Sequence, residues 1–176
     1  MTNPVLEAIA DRRSIRGYQP EQITKEQLDI LLKAAEQAPS ARNAQAWHFT
    51  VVQNKDIIKE VNDEANAKLK REPGADIFYG APTVIFISCD PDAHPWARLD
   101  CGIACENIAL AAHSIGLGSV IIGMAYVALD GEKKEYFDKL LKFPEKYTFA
   151  ISIAIGIPTT TKDAHPIQEG RIDIIE

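Results

Sequence analysis

The chain predicts an α+β domain in three layers, and three observations carry the prediction. Helical and strand patterns mix without a clean βαβ repeat. The segment "TVIFISC" (83–89) is apolar almost throughout, as expected of a strand buried on both faces. Residues 96–116 read as a long helix that is apolar nearly all round, so it needs cover on more than one side. At 176 residues, 46% hydrophobic and 25% charged, the chain suits one domain over 1–176 with a substantial core.

Each element has its own signal. Residues 3–12 place Val5, Leu6, Ile9 and Ala10 at helical spacing, with Asn3 as cap and Pro4 in the first turn. Pro20 closes the break that follows. Over 24–38, Thr24 and Gln27 make a capping box, Leu28, Leu31, Leu32 and Ala35 form a buried stripe, and Pro39 ends the helix. The polar loop "PSARNAQA" (39–46) leads into "WHFTVVQ" (47–53), whose aromatic and β-branched residues predict a strand. Residues 54–71 predict a helix with Ile57, Ile58, Val61 and Ala65 facing in, and Pro and Gly break the chain before the buried strand.

Within the long helix, Leu99, Ile103, Ala104, Cys105, Ile108, Leu110, Ala111 and Ile115 spread round the axis, and Gly116 is its stop. A chain this small can barely surround such a helix, so a second subunit is expected to supply part of the cover. Residues 118–123 predict a short strand, 130–143 an amphipathic helix and 148–156 a buried strand. The remaining tail is polar and ends in a small apolar patch, Ile172, Ile174 and Ile175.

The formal net charge is -6 and the pI about 5.3, which argues against a general nucleic-acid or anionic-membrane partner. No signal peptide and no stretch of bilayer length is visible. Cys89, Cys101 and Cys105 read as reduced, buried thiols, so a cytoplasmic protein is expected. His48, His94, His113 and His165 are scattered, none at metal-ligand spacing, and no metal site is expected.

Against that acidic background, "RRSIRGY" (12–18) sets Arg12, Arg13 and Arg16 within five residues, around Ser14. Such a cluster serves as a solvated turn paired with Asp11 or Glu21, as a nucleic-acid contact, or as a phosphate cradle. In the last case arginine's planar fork pairs with phosphate oxygens and a serine hydroxyl adds a donor. The acidic balance weighs against nucleic acid. In "PSARNAQAW" (39–47), Ser40 and Asn43 either stabilise a turn by bonding nearby backbone or offer donors and acceptors to a planar heterocycle.

Taken together, "RRSIR" after a short helix and "APSARNAQAWHF" after the next one resemble the FMN-dependent nitroreductase family. "LDCGIACENIALAAHSIGLGSVIIG", with Asp100 and Asn107, resembles that family's long central helix and the turn and strand after it, and "YGAPTVIFIS" its core strand. The resemblance runs nearly end to end. It implies a three-layer α/β/α fold with a central mixed, mostly antiparallel sheet and the long helix at a dimer interface.

The resemblance also implies a homodimer with FMN at two intersubunit sites. Arg12, Arg13 and Ser14 would serve the phosphate end, and Arg16 the flavin N1/O2 edge, where positive charge stabilises a reduced ring. Pro39, Ser40, Ala41 and Asn43 match a loop that reaches FMN from the other subunit. Ile122 and Gly123 match the strand end whose backbone approaches flavin N5. The family's basic C-terminal residues find candidates in Lys162, His165 and Arg171, with His165 and Arg171 favoured, and Asn66 is a candidate for a ring contact.

The activity implied is ping-pong hydride transfer from NADH or NADPH through FMN to nitroaromatic, quinone or similar small acceptors. The chemistry belongs to the cofactor, so no Ser-His-Asp nucleophile is expected. His113 reads as a hydrogen-bonded core residue, and Trp47, Trp96 and Tyr126 as candidate stacking aromatics, with core packing the simpler role for Trp47. The alternatives are a specialised flavin enzyme of the same fold, such as a dehydrogenase, dehalogenase or flavin-cleaving enzyme, and a non-catalytic flavin-binding module. One departure from the family pattern is Gln45-Ala46-Trp47, where Gln-Pro-Trp is usual.

Overall fold

The computed structural model describes residues 2–176. Its helices are α1 (Pro4–Asp11), α2 (Lys25–Glu36), α3 (Lys55–Leu69), α4 (Ala97–Ser114), α5 (Tyr126–Leu129) and α6 (Lys134–Leu140). Its strands are β1 (Trp47–Val52), β2 (Thr83–Cys89), β3 (Gly118–Ile122) and β4 (Thr148–Gly156). The strands form one sheet in the order β1-β2-β4-β3, and every neighbouring pair is antiparallel. The expected mixed sheet is therefore corrected. The one parallel contact among the described residues is an isolated bridge between Ser14 and Ser119, outside the named strands.

Local signals set the helix ends. Asn3 Oδ1 accepts the N–H groups of Val5 and Leu6, and Thr24 and Gln27 form the reciprocal capping box. At the end of α4, Gly116 turns to φ 79°, while Gly116 N–H bonds His113 O and Leu117 N–H bonds Ala112 O.

The sheet separates two apolar layers. On one face Phe86, Val84, Ala154, Val120 and Ile122 pack under α3, α5 and α6, with Phe78 and Phe137 at the centre. On the other, Ile85, Ile87, Ile153 and Ile155 pack against Leu31 and Ala35 of α2 and Cys101, Cys105 and Ile108 of α4. All seven residues of β2 are buried. The three cysteines are buried and unpaired. Among the described residues, no helix is long and apolar enough to cross a membrane.

One further expectation changes. The amphipathic helix predicted over 130–143 is only Lys134–Leu140, preceded by the unpredicted turn α5. Asp130 and Gly131 interrupt it, and no side chain caps its start. The stripe on α1 is not buried by this chain: Val5, Leu6 and Ile9 are exposed. Helix α4 is buried on one side only, leaving Leu99 62% exposed and Ile103 exposed too. The C-terminal Ile172, Ile174 and Ile175 are likewise exposed and cover nothing in their own chain.

On the α3 side, Glu64 joins two elements: Lys133, just before α6, bonds its Oε2 at 2.6 Å, and Lys68 lies 3.4 Å from its Oε1. The Lys133 hydrogen bond holds the Glu64 carboxyl below its usual range. A depressed folded value adds stability above the unfolded value, lost as pH falls through the folded one. Glu64→Gln is expected to lower the melting temperature by about 2 °C at neutral pH. In thermal melts across pH, the difference from wild type shrinks toward zero below the carboxylate range.

Candidate functional site

The arginine segment is laid along the free edge of β3. Ile15 N–H donates to Ser119 O at 2.9 Å, and Gln19 N–H to Ile157 O at 2.9 Å. The Tyr18 hydroxyl donates to Ile15 O at 2.7 Å. Burial pushes the Tyr18 phenol far up, so it stays a neutral donor. A Cβ on Gly118 would stand 2.9 Å from Ile15 Cγ2 and 3.1 Å from Pro158 Cβ, so the close approach needs glycine.

The three arginines do not act as a block. Arg12 Nε lies 3.1 Å from Glu106 Oε1 on α4, with its N–H misdirected for a hydrogen bond. Arg13 Nη1 donates to Ala10 O at 2.6 Å and to Arg12 O at 2.8 Å, closing the end of α1. Both Nε atoms are buried without a hydrogen-bond acceptor. Arg12 and Arg13 line a hollow of about 300 Å³ whose other walls include His113, Ser119, Thr160 and Thr161. His113 is thus half-buried at a cavity, not a core residue as expected. Ser14 and Arg16 do not line this hollow. Arg16 bonds Ser14 O at 3.4 Å and holds its guanidinium 5.6 Å from the centre of the Tyr79 ring. Tyr79, Thr160 and Thr161 had no signal in the sequence beyond ordinary composition.

In the 39–46 loop, Ser40 Oγ accepts Gln45 N–H at 3.0 Å, and Asn43 Oδ1 accepts from Gln45 Nε2 at 3.2 Å. Ser40 and Asn43 therefore do turn chemistry. Ala41–Asn43 form a 3-10 turn in which Arg42 and Asn43, and then Gln45, take φ of 56°, 54° and 48°. Left-handed residues without glycine are uncommon and need outside support. Part of that support is Asp100 of α4, whose Oδ2 accepts Ala41 N–H at 3.0 Å. Pro39 is exposed at the loop's start.

At the far end of β3, buried Ile122 O accepts the Ser152 hydroxyl at 2.8 Å. A Cβ on Gly123 would meet only Ile151 Cδ1, at 3.8 Å, so this backbone lies open to close approach. Arg71 Nη1 reaches Met124 Sδ at 3.6 Å. Asn66 Nδ2 donates to Ala75 O at 2.5 Å, while its buried Oδ1 has no partner. Asn66 lies in a groove of about 720 Å³ between α3 and residues 71–82, with Ile58, Asn62 and Pro82. Trp47 packs at 6.1 Å from Phe49 in the core, whereas Trp96 and Tyr126 are exposed.

Beyond Thr161 the tail does not line the hollow within one protomer. Lys162, His165 and Arg171 are exposed, and His165 Nδ1 meets only Pro166 O at 3.2 Å.

The glycine packing yields a direct test of how the arginine segment is held. Gly118→Ala is expected to lift residues 12–18 from β3 and cost about 1–2 kcal/mol. The measurements are denaturant unfolding and limited trypsin digestion, with cleavage at Arg12, Arg13 and Arg16 rising sharply in the variant.

The nitroreductase family model matches residues 9–157. A nitroreductase with bound FMN from Desulfitobacterium hafniense is 38% identical, with a TM-score of 0.94 over all of both chains. Another, from Bacteroides fragilis, is 30% identical with a TM-score of 0.90, covering 99% of this chain and 100% of that one. Among curated sequences, FMN reductase (NAD(P)H) of Bacillus subtilis is 31% identical over 186 aligned positions, 93% of this chain and 70% of its own length. With a match across most of its length and a shared architecture, this chain belongs to the nitroreductase family.

Proposed function

We propose that the protein is an FMN-dependent NAD(P)H oxidoreductase that works as a homodimer. The observation that carries this reading is the hollow beside β3, where Arg12 and Arg13 meet Ser119, Thr160 and Thr161. Guanidinium and hydroxyl donors gathered at one hollow suit a phosphate, which supplies several strong acceptor oxygens. The open backbone at Gly123 and the free Asn66 Oδ1 suit a flat heterocycle with hydrogen-bonding edges. The residues present therefore fit FMN.

When bound, FMN takes a hydride from NADH or NADPH and passes electrons to a nitroaromatic, quinone or similar acceptor. The chain's own residues bind and orient. Arg12 and Arg13 take the phosphate end, with Thr160 and Thr161 as further donors at the hollow, while Ser14 stands beside it. Arg16 is held by Tyr79 and supplies a fixed positive charge for the pyrimidine edge. Ile122 and Gly123 present backbone to the ring. The loop of Pro39, Ser40, Ala41 and Asn43 serves the site of the opposite subunit, and His165 or Arg171 reaches the phosphate from the extended tail.

A homodimer answers the exposed apolar surface. Val5, Leu6 and Ile9 on α1 and Leu99 and Ile103 on α4 belong to two packed helices. The tail isoleucines add to it, Ile175 being 96% exposed. Covering such surfaces with a second copy removes them from water. Only the short stretch 90–96 links β2 to α4, leaving no room there for a lid, which favours a broad range of acceptors over a specialised substrate.

The purified protein is expected to be yellow, or to become so with FMN, and to bleach anaerobically with NADH or NADPH. Arg12→Ala is expected to weaken FMN binding about tenfold or more without dissociating the dimer. Flavin fluorescence titration and size-exclusion chromatography check both halves. A wild-type protein that takes up no FMN overturns the reading.

A further inference from the structure

We infer that Asp100, backed by His94, is a positioning residue for the flavin of the opposite subunit, acting through the Ala41 loop. The inference rests on the shared-site reading above and goes beyond it by assigning a buried pair that touches no cofactor in its own right.

Asp100 is 5% exposed and His94 7%. A buried carboxylate is costly unless it is paired and hydrogen-bonded. Asp100 meets that demand through its Oδ2, which accepts Ala41 N–H at 3.0 Å. His94 Nε2 stands 3.2 Å from the same oxygen, close beside it without hydrogen-bond geometry. His94 Nδ1 accepts Trp96 N–H at 3.2 Å, which assigns the ring proton to Nε2, facing the carboxylate. Asp100 also stands in the first turn of α4, where the helix dipole favours an anion.

The loop needs this anchor. Ser40 occupies the cap position of the 3-10 turn but makes no cap bond, because its Oγ is taken by Gln45 N–H. The cap comes instead from Asp100, 59 residues further along the chain. Arg42, Asn43 and Gln45 all hold left-handed backbone without glycine, a conformation the chain does not keep unaided. Asp100 and His94 thus hold in place the loop that bears Ser40 and Asn43. Helix α4 also exposes Leu99, next to Asp100, on the face that a second copy covers. The anchor and the dimer surface therefore lie on the same helix turn.

The test uses full-length dimers and reads FMN dissociation constants. Asp100→Ala is expected to weaken FMN binding by at least ~tenfold, and Asp100→Asn by less, since the amide oxygen still accepts Ala41 N–H. Mixed dimers then separate positioning from general loss of structure. Differently tagged chains, one carrying Arg12→Ala and the other Asp100→Ala, are co-expressed and the heterodimer is isolated. One of its sites carries both defects and the other carries neither. The expected result is one FMN bound per dimer at wild-type affinity.

Two weakened sites in that heterodimer would overturn the inference, because the loop would then serve its own subunit or act only through overall stability. Unchanged affinity in folded Asp100→Ala would overturn it as well. If Asp100→Ala does not fold, the same heterodimer built with Asp100→Asn decides between one intact site and two weakened ones. Failure of the flavin reading itself is visible earlier, in wild-type protein that binds no FMN.

Discussion

All seven residues of β2 are shut away from water, and that constraint orders the rest of the molecule. A strand apolar on both faces needs a layer on each side. Phe86 and Val84 point to α3, α5 and α6, while Ile85 and Ile87 point to α2 and α4. Antiparallel neighbours β1 and β4 complete its backbone hydrogen bonds. Once those layers are in place, β3 is left as a sheet edge with unpaired backbone groups. The arginine segment takes part of that edge through Ser14 and Ile15. The candidate phosphate hollow therefore lies where the sheet ends, beside a segment that also blunts its exposed edge.

The same demand for cover is not met everywhere. Helix α4 buries Cys101, Cys105, Ile108 and Ala112 against the sheet and leaves Leu99 and Ile103 outside. Helix α1 packs on α4 yet turns Val5, Leu6 and Ile9 outward. The two helices thus form one apolar face, flanked in sequence by the arginine segment after α1 and in space by the Ala41 loop tied to Asp100. In the homodimer we propose, covering that face and completing the cofactor site are one event. Flavin affinity and subunit association would then be linked by mass action, each strengthening the other.

What could be read from the sequence was what neighbours in the chain decide. The Thr24–Gln27 box, the Gly116 stop and the apolar run of β2 all have local causes, and all hold in the structure. The apolar excess of α4 also pointed correctly to missing cover, because no packing of a chain this size resolves it. The failures lie where distance in the chain matters. Sheet direction depends on pairing between remote strands, and the mixed sheet expected is antiparallel apart from the Ser14 bridge. Asp100 was legible as a residue of the matching helix, but not its bond to Ala41, since nothing local announces a partner so far away. His113 looked like a core residue because its helix is apolar, yet it falls on the side that meets the hollow.

The concentration of positive charge in an acidic chain also takes a different form once the contacts are resolved. Arg12 is set against Glu106, and Arg13 spends its Nη1 on the open carbonyls at the end of α1. Arg16 rests over Tyr79. Arg12 and Arg13 nonetheless both line the small hollow beside β3. Their contacts to Glu106 and to the carbonyls of α1 hold the two side chains there in advance. An anion that fills the hollow gains strong hydrogen bonds without first having to order the side chains that make them.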